Sequence, residues 1–158
     1  MGSDADTFTV RRIGTVRSER SEPVDDGWDA VVTRIELDGT WLTPDVVAGL
    51  DAFSHLDVVF LFHLVDEADV TLGARRPRGR ADWPKVGILS QRAKARPNRL
   101  GVTTCRLIRV DGLVLHVEGL DAIDGTPVLD IKPNLAELWP RGEHRQPAWS
   151  TELMADYW

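Results

Sequence analysis

DVVFLFHL, residues 57–64, sets five consecutive apolar side chains, Val58 to Phe62, after an acidic residue. A run of this length without polar alternation reads as a strand covered on both faces, in the middle of the structure. What flanks it decides what kind of sheet it belongs to. Upstream, Phe8–Ser18 (FTVRRIGTVRS) and Trp28–Leu37 (WDAVVTRIEL) are rich in β-branched residues in rough alternation, and an acidic loop, Ser21–Gly27, lies between them. Both read as strands. Thr43-Pro44-Asp45 has the form of a helix start, with Val46, Val47 and Leu50 as an apolar face, so a short helix ending near Leu50 or Phe53 is expected.

Downstream of a basic loop, Lys85–Ser90, Leu100–Val110, Leu113–Leu120 and Pro127–Ile131 are further strand candidates. Asp111-Gly112 between two of them predicts a type I′ hairpin. The tail carries Pro140, Gly142 and Pro147, after which Trp149, Leu153 and Tyr157 recur at helical spacing and predict a short amphipathic helix. Its aromatic residues would cover either a pocket or a dimer seam. Many short strands, few helices and frequent turns predict a mostly β fold, a small barrel or sandwich with short peripheral helices, and not a doubly wound sheet.

The 158 residues suit one domain that buries a core without disulfides or metal. Nothing marks an internal boundary: the expected division is a core over about 8–138 and a tail over 139–158. Apolar content of 42% and charged content of 28% are those of a soluble globular protein, and no apolar run reaches the roughly 20 residues of a membrane span. Met1–Thr7 is polar and acidic, and Cys105 is the single cysteine, which leaves the cytoplasm as the expected compartment. The net charge of −6 is unevenly spread. Between Arg75 and Arg109 there are eleven Lys or Arg against one acid, Asp82, while the remainder of the chain carries 8 basic and 24 acidic residues. Segregation of this kind either creates a positive field that attracts phosphates or is consumed by pairing with acids elsewhere in the fold.

The familiar cofactor signatures are missing: no GxGxxG follows a strand, and there is no GxxxxGK, no GxSxG and no Cys/His metal spacing. Cys105 sits inside an apolar strand and reads as a small core residue. His55, His63, His116 and His144 are scattered and predict no metal site. Two loop-like segments are chemically dense. In Gln91–Gly101 (QRAKARPNRLG), Pro97, Asn98 and Gly101 supply turn geometry and close backbone approach, and Arg92 and Arg96 are suited to bidentate capture of a carboxylate. In Leu120–Pro133 (LDAIDGTPVLDIKP), Asp121, Asp124 and Asp130 surround a Gly-Thr-Pro turn, with Lys132 close behind. Taken alone, each also reads as a decorated turn, with solvated arginines in the first and a Lys–Asp pair in the second.

Together these segments carry a resemblance. GLDAFSHLDVVFLFH (Gly49–His63), RPRG (Arg76–Gly79), GILSQRAKARPNRLGV (Gly87–Val102) and LDAIDGTPVLDIKP (Leu120–Pro133) resemble the TsaA-like domain of the TrmO family of β-barrel tRNA methyltransferases, and RRIGTVRS (Arg11–Ser18) is similar to its opening strand. The resemblance implies a compact barrel, usually dimeric, that binds S-adenosylmethionine outside any Rossmann motif and methylates N6 of N6-threonylcarbamoyladenosine in tRNA. Carried over by position, Phe62, His63, Arg92, Val102, Glu118, Gly119, Leu120 and Asp121 would contact the cofactor. Arg76, Arg78, Arg96, Asn98, Thr126 and Asp130 would serve the substrate, with Gly125 shaping the site between them. A carbamoylated adenine N6 is a poor nucleophile, so a base is expected: Asp121 or Asp124, then His63, with Lys132 as an electrostatic partner.

The chain departs from the family pattern in places. SEPVDDGWDA (Ser21–Ala30) replaces a Pro-Arg-Gln-like segment, Arg99 stands where a proline is usual, Asn134 stands where an aromatic is common, and a short tail takes the place of a longer C-terminal domain. The acidic Asp25, Asp26 and Asp29 would suit a cationic small-molecule acceptor of the same methyl chemistry. A non-catalytic nucleotide- or RNA-binding barrel is the third reading.

Overall fold

The computed structural model describes residues 6–158; the first five residues of the polar N-terminal stretch lie outside the described residues. Six strands close into an antiparallel barrel: β1 (Gly14–Arg17), β2 (Val32–Leu37), β3 (His55–Leu61), β6 (Leu100–Asp111), β7 (Val114–Glu118) and β8 (Pro127–Pro133), in the order β1-β2-β7-β6-β3-β8. A separate two-stranded ribbon pairs β4 (Ala74–Arg75) with β5 (Val86–Gly87). Closure removes the unpaired edges that an open sheet of this size would present to solvent.

The DVVFLFHL run lies where its composition places it, between β6 and β8, with Val59 opposite both Val102 and Asp130. Its burial, however, alternates. Leu56, Val58 and Phe60 fill the barrel, while Asp57, Val59 and Leu61 are half-buried outside. A closed barrel has one dry face, so two-sided burial gives way to strand periodicity. Val16, Ile35, Cys105, Leu115, Val117, Leu120, Ala122 and Val128 complete the core. Phe60 is the largest side chain in it, and Gly101 is opposite Phe60 because nothing bigger fits: a Cβ on Gly101 would stand 2.5 Å from the Phe60 ring and 3.0 Å from that of Phe62.

Several elements are shorter than the sequence predicts. Of Phe8–Ser18, only Gly14–Arg17 is strand; Phe8–Arg12 is exposed, and Ile13 is the first residue tied in, its N–H donating to the Val128 carbonyl at 2.9 Å. Trp28–Val31 is loop before β2. The predicted helix after Thr43 is two 3-10 turns, Pro44–Val47 and Leu50–Ala52, separated by Gly49 in the left-handed region at φ 81°. Lys85–Ser90 keeps only two residues of strand before a 3-10 turn. The β6–β7 hairpin pairs Asp111 with Val114, so its central residues are Gly112 and Leu113. Positive φ falls on Gly112 (58°) alone, as in a type II′ turn, one residue later than an Asp-Gly type I′ turn requires.

The C-terminal helix α1 (Ala148–Leu153) ends before Tyr157, and a turn carries the chain on from there. No helix among the described residues is long and apolar enough to cross a membrane.

Candidate functional site

At one end of the barrel a cleft of about 1100 Å³ opens between segments that are far apart in sequence. The end of β3 brings Phe60, Phe62 and His63. The start of β6 brings Leu100–Thr104, and the loop before it brings Gln91, Arg92, Lys94, Arg96 and Asn98. Asp121–Ile123 and Thr126 close the floor, and Pro23–Asp25 and Trp28 adjoin a wall formed by Trp149, Ser150, Leu153, Met154, Tyr157 and Trp158.

The loop from Gln91 to Arg99 is held by its own polar groups. Gln91 is buried, and its Nε2 donates to the carbonyls of Arg75 (2.9 Å) and Val86 (3.1 Å), which ties the loop to the β4–β5 ribbon. Arg96 Nη1 donates to the Gln91 carbonyl at 2.6 Å and Arg92 Nη2 to the Val102 carbonyl at 2.5 Å, so both guanidiniums are drawn against the cleft wall. Asn98 and Arg99 take positive φ of 63° and 51°. Asn tolerates that region; at Arg99 the strain is offset by a 2.6 Å bond from its guanidinium to the Val65 carbonyl. Gln91 Oε1 is buried without a hydrogen-bond partner.

Asp121 is the anionic centre of the floor. Its Oδ1 accepts from Thr103 Oγ1 and its Oδ2 from the Tyr157 hydroxyl. Burial, reinforced by the Asp121 charge, pushes the Tyr157 phenol well above its ordinary value, so it stays a donor. Desolvation likewise raises the Cys105 thiol to about 12, with Asp121 and Asp57 contributing; it is a core group without thiolate character. His63 is brought against the Gly-Thr-Pro turn, where a Cβ on Gly125 would stand 3.7 Å from its Nε2.

The sequence-derived residues therefore divide. Phe62, His63, Arg92, Val102, Asp121, Arg78, Arg96, Asn98 and Thr126 line the one cleft. Others do not. The Leu120 side chain is in the barrel core, Glu118 is paired with Arg106 at 3.2 Å on the outside, and Gly119 forms the positive-φ turn (80°) after β7. Asp124 faces away: its Oδ1 accepts the Ser18 N–H at 3.0 Å and it borders a second, smaller cavity beside Arg17 and Arg20. Lys132 and Asp130 form a 2.8 Å ion pair outside the cleft lining. The Arg76 guanidinium is consumed by the Trp83 carbonyl. Among the described residues, no group of three or more His, Cys, Asp or Glu is placed to hold a metal.

Sequence reasoning missed Thr103 and Gln91. For the tail it left a pocket cover and a dimer seam open, and the Trp149, Leu153 and Tyr157 side chains lie at the cleft. Tyr157 lies beyond α1, and the three residues meet at the cleft because the chain turns back. The acidic loop is also resolved: Asp26 makes a two-pronged bond to Arg78 (2.8 and 3.1 Å), and Asp29 pairs with Arg106 at 3.2 Å.

Residues 17–138 match the family described as the tRNA-methyltransferase O N-terminal domain. A probable S-adenosyl-L-methionine-binding protein from Methanothermobacter thermautotrophicus is 38% identical over 128 residues, covering 78% of this chain and 88% of that protein. The mouse tRNA (adenine(37)-N6)-methyltransferase is 40% identical over 89 residues, 56% of this chain but 20% of that protein, so this chain matches about a fifth of its length. A crystal structure of TrmO from Pseudomonas aeruginosa superposes with a TM-score of 0.74 at 27% identity, covering 94% of this chain and 64% of that one. The barrel architecture and the matched span agree: this chain belongs to the tRNA-methyltransferase O N-terminal domain family.

Proposed function

We propose that the cleft binds S-adenosylmethionine and that the protein transfers its methyl group to N6 of N6-threonylcarbamoyladenosine in tRNA. The observation that carries this reading is convergence: Phe62 and His63, Arg92, Arg96, Asn98 and Val102, and Asp121 and Thr126, all from the segments of the family resemblance, meet in one cleft. At about 1100 Å³ it exceeds the several hundred Å³ a single small ligand fills, which leaves room for cofactor and acceptor together.

The donor set fits the cofactor. Apolar Phe62, Leu100, Val102 and Ile123 suit an adenine and thioether, the Arg92 and Arg96 guanidiniums suit a carboxylate, and the Asp121 carboxylate suits hydroxyl or ammonium donors. When bound, the cofactor supplies an electrophilic methyl on a sulfonium. The chain's part is to hold the acceptor in line with that methyl and keep water out. For the proton, His63 is the group best placed. Both Asp121 oxygens already accept hydroxyl bonds, and Asp124 borders the other cavity, whereas the His63 imidazole stands in the cleft and can take the N6 proton at Nε2.

Lys94 and Arg96 in the cleft lining give RNA phosphates a positive approach. Pairing of Asp26 with Arg78 and of Asp29 with Arg106 supports tRNA over a cationic small molecule, because two of the three acids that would attract such an acceptor are neutralised. The same reading takes the protein to act as a homodimer in the cytoplasm, with the 8–138 core and the 139–158 tail as one unit; the single, buried, free Cys105 suits a reducing compartment. Incubation with methyl-labelled S-adenosylmethionine and tRNA, with and without the threonylcarbamoyl group, tests the function. Label on modified tRNA alone is the expected result. Cofactor binding with no label on either RNA would reject it.

A further inference from the structure

The segment from Ala148 to Trp158 lies beyond the span that matches the family, which ends at residue 138, yet it supplies a full wall of the cleft. It is docked by four contacts of different kinds. The Gly27 and Trp28 N–H groups donate to the Asp156 and Tyr157 carbonyls at 3.1 and 2.8 Å. Trp83 Nε1 donates to Glu152 Oε2 at 2.8 Å, and the Tyr157 hydroxyl donates to Asp121. Two of these contacts fall on the acidic loop that departs from the family pattern, so that loop and the tail form one unit.

One tail residue is not consumed by docking. Trp158 lines the cleft but is 55% exposed, and it meets Tyr157 edge-on, with ring centroids 5.0 Å apart and planes at 88°. The contact sets the indole beside Tyr157 with more than half of the residue's surface still accessible. A large aromatic that lines a ligand cleft and stays exposed is the arrangement that stacks a planar base.

We infer that Trp158 is a specificity-determining stacking platform for a nucleobase of the acceptor, positioned by Tyr157 through its bond to Asp121. This rests on the reading of the cleft as a tRNA methyltransferase site. An unstacked base of a single-stranded loop would lie against the indole.

The test separates binding from turnover. Affinity for S-adenosylmethionine by calorimetry, affinity for tRNA by filter binding, and steady-state transfer are measured for the wild type, Trp158→Ala and Trp158→Phe. Trp158→Ala is expected to weaken tRNA binding and raise KM for tRNA about tenfold, as loss of one base–aromatic stack does, with cofactor affinity unchanged and Trp158→Phe recovering most of the loss. Equal tRNA affinity in wild type and Trp158→Ala overturns the inference, and so does an equal loss of cofactor affinity. A wild type that binds tRNA but never methylates it rejects the proposed function, while the tRNA affinities still decide the role of Trp158.

Discussion

The Tyr157 hydroxyl donates a hydrogen bond to Asp121 Oδ2 across a separation of 36 residues, fastening the last turn of the chain to the floor of the cleft. Asp121 thereby has both oxygens engaged, the other by Thr103 Oγ1. A carboxylate committed in this way organises the site and leaves proton abstraction to another group.

Tyr157→Phe should remove this link without removing the ring. The expected cost is about 1 kcal/mol, or roughly 2–4 °C in Tm, read by thermal or denaturant unfolding. The wild-type pH profile has a defined sign. The phenol's folded pKa is raised above its unfolded value, so its contribution is fully present below about pH 10 and is lost as pH climbs beyond it. The variant should show a shallower alkaline decline over that range.

Cys105 should be inert in the native protein. With its thiol raised to about 12 by burial, reaction with a chromogenic disulfide reagent at pH 8 is expected to be negligible until denaturant is added, after which one equivalent reacts. Rapid labelling of the folded protein would show that β6 opens at that point.

Gly101→Ala tests the closest contact of the barrel with the cleft. The added methyl would meet the Phe60 and Phe62 rings, and those rings cannot both withdraw, because Phe60 fills the core. Destabilisation of about 1–3 kcal/mol is expected, together with weaker S-adenosylmethionine binding as Phe62 is displaced. Unfolding curves and calorimetry measure the two effects separately.

Arg92→Ala is expected to weaken S-adenosylmethionine binding at least about tenfold, the worth of a lost charge-assisted contact of roughly 1.4 kcal/mol. Arg92→Lys should recover little, since an ammonium cannot reach the Val102 carbonyl and grip a carboxylate with one planar fork. Unchanged cofactor affinity in Arg92→Ala would remove this residue from the binding site.

The sequence by itself determined a great deal here, for a local reason. Strand periodicity, turn residues and apolar runs act within a few residues, so DVVFLFHL, the β6–β7 hairpin and the predominance of short strands were legible before any coordinates. The motif segments carried the cleft in outline, as Phe62, His63, Arg92, Val102 and Asp121 show. Tertiary structure decided what depends on direction and distance. Only closure of the barrel settles that Val59 is outside and Phe60 inside, and that Asp124 faces another cavity from Asp121. Neighbours in sequence were separated because the β8 turn points successive side chains to different sides, while Tyr157 was joined to Asp121 by a fold that brings the chain's end back to its centre. Proximity in three dimensions has no signature in residue spacing when the contact is made through a turn and not along a helix, which is why the bond of Tyr157 to Asp121 emerged only from the assembled structure.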